Sequence, residues 1–276
     1  MAIVDVGYNS GMSAPRNGCT EPLSTPNSRA PWDSFDSDDY FRHNYVTVRA
    51  DDWKIVEFVR DHFARCAPAV AVPAIDVGTG PNVYPALAML PFASTITLYE
   101  YSAGNVEWLK RERDAGWPST PRGPEGFWAL YAKEDHYARL GPEPWRELSD
   151  RTEIVQGSVF DLYRTPAEKF GLGTMFFVAE SLSDDRSEFE DAVARFLGVL
   201  RPGAPFAAAF MEKSVGYDVG GTRFPATAVD ADDVFDVLRR GAEDLRVERI
   251  DADDDPLRDG YTGMLLAMGR VAGGSA

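Results

Sequence analysis

Apolar residues first recur at helical spacing between Asp51 and Ala67, where Trp53, Val56, Val59, Phe63 and Cys66 fall on one face behind Asp51 or Asp52 as N-cap. This predicts an amphipathic helix. Beyond it, short β-type runs alternate with helical ones. Strands are predicted at Val72–Val77, Thr95–Tyr99, Thr152–Gln156, Thr174–Ala179 and Pro205–Met211, with helices at Tyr84–Leu90, Ala103–Asp114 and Arg186–Leu200. A helix at Asp232–Ala242 and two strands, Leu245–Ile250 and Gly263–Gly269, close the chain. Such alternation implies a mostly parallel sheet covered by helices on both faces. Two stretches break the rhythm. Residues 1–30 are rich in Gly, Ser, Asn, Pro and Thr and read as a mobile arm, while the Gly-, Pro- and Trp-rich residues 115–150 read as an insertion with short helices of its own. Residues 31–276 are then one domain. Between arm and first helix stand Trp32, Phe35, Tyr40, Phe41 and Tyr45, too many rings for a plain linker.

Composition narrows the ligand. The 276 residues, 44% hydrophobic, suffice for a full core, and a formal charge of −16 with a pI near 4.6 sets the chain against nucleic acid and anionic membranes. Cys19 and Cys66 form neither a disulfide framework nor a metal-ligand pattern, and no signal or membrane-spanning run is visible, so a cytoplasmic protein without a bound metal is expected. The acidic runs Asp230–Asp233 and Asp251–Asp255 read as a helix cap and a solvated loop.

The chemistry centres on Asp76-Val77-Gly78-Thr79-Gly80-Pro81, which follows the first strand, where a doubly wound sheet places its ligand. Glycine is needed there because the backbone turns sharply and meets the ligand closely. Pro81 removes an N–H that a pyrophosphate would use, and Asp76 adds negative charge, so the turn suits a phosphate-free, cationic or zwitterionic ligand. Glu100, 22 residues after Gly78 at the end of the next strand, has the position of an acid accepting both hydroxyls of a ribose. Asp76, Gly78, Gly80 and Glu100 together fit S-adenosylmethionine.

Three segments carry a closer likeness: Phe35-Asp36-x-x-Asp39-Tyr40-Phe41-x-x-Asn44-Tyr45, Ile75 to Tyr84, and Glu100-Tyr101-Ser102-x-x-Asn105. They resemble the nicotinamide, phenylethanolamine and indolethylamine N-methyltransferase family, over about Phe35 to Gly269. The resemblance implies a Rossmann-like class I methyltransferase fold, with a seven-stranded, mostly parallel sheet and an N-terminal aromatic lid. It also implies S-adenosylmethionine as cofactor. By resemblance Tyr40 and Tyr45 are lid tyrosines, Gly78 and Gly80 line the methionine part, and Tyr84 reaches its carboxylate. Glu100, Tyr101 and Asn105 belong to the nucleoside, and Ser158 and Val159 to the adenine edge. Ser158 stands where the family has an acid, so Asp161 or the Val159 backbone is the alternative adenine contact. Phe210 replaces a substrate-binding acid of the nicotinamide member, with Glu212 two residues on.

The expected reaction is methyl transfer to a small acceptor, an amine or aromatic nitrogen, by in-line displacement that depends on positioning. Tyr40, Glu180 and Glu212 are the leading catalytic candidates, with Asp184, His43 and His136 behind them. Glu180 has an alternative as a cap and Glu212 as an ion pair. Trp117, Phe127, Trp128, Tyr131, Tyr137 and Trp145 read either as a cation-binding wall or as the insertion's own core. O- or C-methylation, intramolecular alkyl transfer within the cofactor, and non-catalytic binding are the competing functions. Abundant Ala, Arg and Asp with few Lys suggest a bacterial member. Oligomeric state is left open.

Overall fold

Strand alternation determines which way each side chain points, and here it builds two cores from one sheet. The computed structural model describes residues 25–164, 170–252 and 260–273. From the N-terminus it runs through α1 (Ser37–Asn44), α2 (Ala50–Cys66), β1 (Val72–Val77), α3 (Tyr84–Met89), β2 (Ala93–Glu100) and α4 (Ala103–Ala115). The insertion supplies α5 (Phe127–Tyr131), α6 (Asp135–Ala138) and α7 (Trp145–Arg151) before β3 (Thr152–Gln156), β4 (Leu172–Phe176) and α8 (Arg186–Val199). There follow β5 (Pro205–Glu212), the hairpin β6 (Tyr217–Val219) and β7 (Thr222–Phe224), α9 (Ala231–Leu238), β8 (Ala242–Asp251) and β9 (Gly263–Val271).

Seven strands form one sheet in the order β3-β2-β1-β4-β5-β9-β8, with β1 to β5 parallel and β9 antiparallel to both neighbours. The order reverses between β1 and β4, which opens a crevice at their carboxyl ends. Ala74 on β1 and Ala207, Ala209 and Met211 on β5 face the core under α2, α3 and the insertion. Ile75, Val77, Phe206, Ala208 and Phe210 face the core under α8 and α9. The central strands β4 and β5 are buried along their whole length, as strands covered on both faces must be.

The insertion's six aromatic residues are all buried, at 0–5% exposure, in the α2–α3 core. Tyr131 and Tyr137 donate their hydroxyls to the carbonyls of Tyr84 and Ala88 at 3.0 and 2.7 Å, which pins the insertion to α3. They are core, not a cation-binding wall. The hairpin β6–β7 was not anticipated. Its third small core joins Tyr217, Val219 and Phe224 to Trp32, Phe35 and Tyr40.

Most of the stretch expected as an arm lies outside the described residues. Its end is seated: the Thr25 and Asn27 N–H groups donate to Asp184 Oδ1 and Glu188 Oε2 at 2.6 and 2.8 Å, and Asn27 is buried. Residues 253–255 of the second acidic run also lie outside. No helix among the described residues is long and apolar enough to cross a membrane.

Candidate functional site

A cleft lies over the carboxyl ends of β1, β2 and β4, floored by Val77 to Asn82. Gly78 and Gly80 both take positive φ, 66° and 61°, and the Gly78 N–H donates to the Tyr99 carbonyl at 2.7 Å. A Cβ on Gly78 would stand 2.4 Å from Val178 Cγ2, so glycine is required by β4's end as well as by the turn. Glu100 ends β2 with its side chain over this turn. Its Oε2 accepts from the Gly80 N–H at 2.8 Å, and its Oε1 accepts from the Ser102 N–H at 2.7 Å and the Asn105 amide at 3.4 Å. Burial pushes the Glu100 carboxyl above the usual carboxylate range, and these donors pull back towards the charged form.

The roof comes from two segments far apart in sequence. Trp32, Phe35, Tyr40 and Tyr45 approach from the N-terminal side, and Tyr217 from the hairpin. Phe224 lies 5.3 Å from both Trp32 and Phe35 between ring centroids, and the Gly220 N–H donates to Asp39 at 2.9 Å. With Tyr99, Tyr101, Phe176 and Phe177, nine aromatic side chains line the cleft. Among the described lining residues Glu100 is the single carboxylate, and no lysine, arginine or histidine is present.

The sequence profile of the NNMT/PNMT/TEMT family matches residues 27–270. The chain belongs to this family. Its members are methyltransferases whose cofactor is S-adenosylmethionine. Human phenylethanolamine N-methyltransferase is 22% identical over 263 residues, covering 86% of this chain and 89% of the human one. The bovine enzyme is 24% identical over 226 residues, or 74% and 75% of the two chains. Among solved structures, N-methyltransferase NodS from Bradyrhizobium japonicum, in complex with S-adenosylhomocysteine, superposes with a TM-score of 0.53 at 12% identity, covering 85% of this chain and 92% of its own. The [4+2]-cyclase SpnF reaches 0.52 at 17% identity, over 81% and 82%. At these identities the two structures speak for the fold alone.

Within this family frame, the cleft brings together Tyr40, Tyr45, Gly78, Gly80, Glu100, Tyr101, Asn105, Ser158 and Val159. Four other expected residues sit elsewhere. Asp76 shares its strand face with Ala74 and so points beneath the turn. It is 1% exposed, accepting the Thr174 hydroxyl at 2.6 Å on Oδ1, with no partner for Oδ2 among the described residues. Burial raises its pKa from 3.8 to about 7. Tyr84 opens α3 and turns into the core, where its hydroxyl donates to Asp52 at 3.2 Å and its ring stacks on Phe127. Glu180 is fully buried behind the cleft wall and accepts from the Met211 N–H and the Ser181 hydroxyl, tying the loop after β4 to β5. Glu212 is paired with Arg249 at 2.8 Å and accepts the Thr262 hydroxyl, and these contacts hold its carboxyl below the usual range. Neither acid lines the cleft, which corrects both as candidate bases.

The remaining candidates are peripheral. Asp184 is exposed and engaged by Thr25, His43 is exposed, and His136 pairs with Glu134 at 3.0 Å. Asp161 lies on the 3-10 turn Val159–Arg164 outside the lining, and Phe210 packs on Phe189 in the α8 core. Sequence reasoning missed Asn27, Phe177, Val178, Ser181, Leu182 and Tyr217. For Tyr217 a signal existed: Gly220-Gly221, both with positive φ, sit between two short alternating triplets, which is a hairpin signature.

Proposed function

We propose that the protein transfers a methyl group from S-adenosylmethionine to a nitrogen of a small acceptor. The observation that supports this reading is the lining itself: a glycine turn and a buried carboxylate at one end, aromatic rings over the rest, and no basic side chain among the described lining residues to receive a phosphate. A Cβ at Gly80 would meet nothing closer than 3.9 Å, so the turn presents bare backbone to its ligand. The residues present thus fit the cofactor.

Glu100 accepts a ribose hydroxyl at the acceptor position that Gly80, Ser102 and Asn105 leave open, and Ser158 and Val159 present backbone to the adenine edge. Tyr40 and Tyr45, with Trp32 and Tyr217, exclude water and hold the acceptor by ring contact. When bound, S-adenosylmethionine supplies a methyl group activated on a sulfonium for in-line displacement. Since no carboxylate but Glu100 lines the cleft among the described residues, an acceptor nitrogen with a free lone pair near neutral pH, such as a ring nitrogen, suits it best.

Calorimetric titration with S-adenosylhomocysteine tests the cofactor assignment. Glu100→Ala is expected to weaken binding by about 10- to 100-fold, the scale of losing a charged hydrogen-bond acceptor from a buried site. Wild-type protein that binds nothing would sink the reading. Methylthioadenosine formed from the cofactor alone would replace transfer to an external acceptor by intramolecular transfer.

A further inference from the structure

The nucleoside end of the cleft is joined to the N-terminal segment by buried polar contacts that neither the turn nor the acid requires. Ser37, the first residue of α1 and 8% exposed, donates its hydroxyl to Asn105 Oδ1 at 2.7 Å. Asn105, 4% exposed, passes the contact on through its amide to Glu100 Oε1. A second link runs in parallel. The Ser102 hydroxyl donates to the Trp32 carbonyl at 3.5 Å, the Ser102 N–H donates to Glu100 Oε1, and the Trp32 ring meets Tyr101 edge-on at 6.4 Å. Gly104 lies between the two segments, where a Cβ would make ordinary contacts, 3.4 Å from the Phe35 carbonyl oxygen and 3.6 Å from Ser37 Oγ.

We propose that Ser37 is a positioning residue for the cofactor's nucleoside, acting through Asn105 on the Glu100 carboxylate, so that ribose binding and docking of the N-terminal segment are one equilibrium. This rests on the cofactor reading above. An Asn105 side chain without Ser37 can rotate its amide away from Glu100, since the 2.7 Å bond is its shorter tether. Three of the carboxylate's roughly four acceptor positions are already taken, so the orientation of the group decides where the open one points. Linkage then works both ways: a docked segment favours the nucleoside, and the nucleoside favours docking by the same factor.

The test is calorimetry on the full chain with S-adenosylhomocysteine and with methylthioadenosine, which keeps the nucleoside and lacks the amino-acid end. Ser37→Ala is expected to weaken both ligands equally, by about tenfold, the scale of a lost buried hydrogen bond. In a double-mutant cycle with Glu100→Gln, the combined loss should be clearly smaller than the product of the single losses. Unchanged affinity in Ser37→Ala, or multiplicative losses, would overturn the proposal while leaving the cofactor reading intact if Glu100→Gln alone weakens binding. Wild-type protein that binds neither ligand overturns both. Should Ser37→Ala fail to fold, hydrogen exchange on wild-type protein decides: backbone amides of residues 27–45 should slow when S-adenosylhomocysteine is added, and equal exchange with and without it rejects the coupling.

Discussion

A carboxyl group sealed beneath a backbone turn meets the cost of burial either by pairing its charge or by keeping its proton, and Asp76 does the second. Its folded pKa near 7 stands well above the ordinary 3.8, so between those values the native state holds a proton that the unfolded chain has lost. The stabilising contribution of the neutral acid is full below about pH 4 and is lost as the pH rises through 7. Asp76→Asn removes this titration and keeps an acceptor for Thr174. Its stability relative to wild type should therefore rise by a few kcal/mol from pH 4 to pH 8, at roughly 1.4 kcal/mol per pH unit in the titrating range. Denaturant unfolding across that range checks it, and parallel curves for the two proteins would reject it. Glu212 has the opposite sign: its carboxyl, held low by Arg249, contributes above its ordinary value of 4.5 and loses that contribution as the solution is acidified through its lowered folded pKa. Both acids were visible as candidates in the sequence. Their roles were not, because the direction of a side chain at a strand end depends on the strand's face and on partners such as Thr174 and Arg249, which are 98 and 37 residues away.

At the scale of elements, the glycine turn shows how one motif carries two different constraints. Gly78 is closed off by Val178 at 2.4 Å, whereas Gly80 faces open space, although both have positive φ. Gly78→Ala should cost at least about 2 kcal/mol through overpacking and strain, and Gly80→Ala only about 1 kcal/mol through backbone strain. Thermal unfolding of the two variants separates these, and equal losses would contradict the packing difference. Adding Val178→Ala should restore part of the first loss and none of the second. The long helices and the central strands were legible from periodicity alone, since Val56, Val59 and Phe63 on α2 and the apolar run of β5 report burial directly. Their boundaries shifted by a few residues, β4 running Leu172–Phe176 instead of Thr174–Ala179, because the apolar run continues past the strand into the turn at Ala179–Ser181. The hairpin is marked in the sequence by Gly220-Gly221 alone, because three-residue strands are too short for alternation by itself to identify them.

In the whole molecule, the cleft is closed by residues 27–45 and 217–224 acting together, with a small core separate from the two that hold the sheet. Phe224 is fully buried at its centre, touching Trp32, Phe35 and Tyr217. Phe224→Ala is expected to cost about 3 kcal/mol locally and to speed release of S-adenosylhomocysteine, while the sheet keeps its protection. Dissociation kinetics with hydrogen exchange checks this, and an unchanged off-rate would reject a role for the hairpin in closure. From its own residues the sequence determined the alternating α/β order, the glycine turn with Glu100 at its proper distance, and the absence at Pro81 of an N–H for a pyrophosphate, because these depend on local periodicity and backbone chemistry. Only the tertiary structure decided that Asp76 and Tyr84 belong beneath the cleft, that Glu180 and Glu212 brace β5, and that the insertion's rings form core while Trp32 and Tyr217 form the roof. Those assignments depend on which distant surfaces meet across the sheet, and no short-range pattern encodes that.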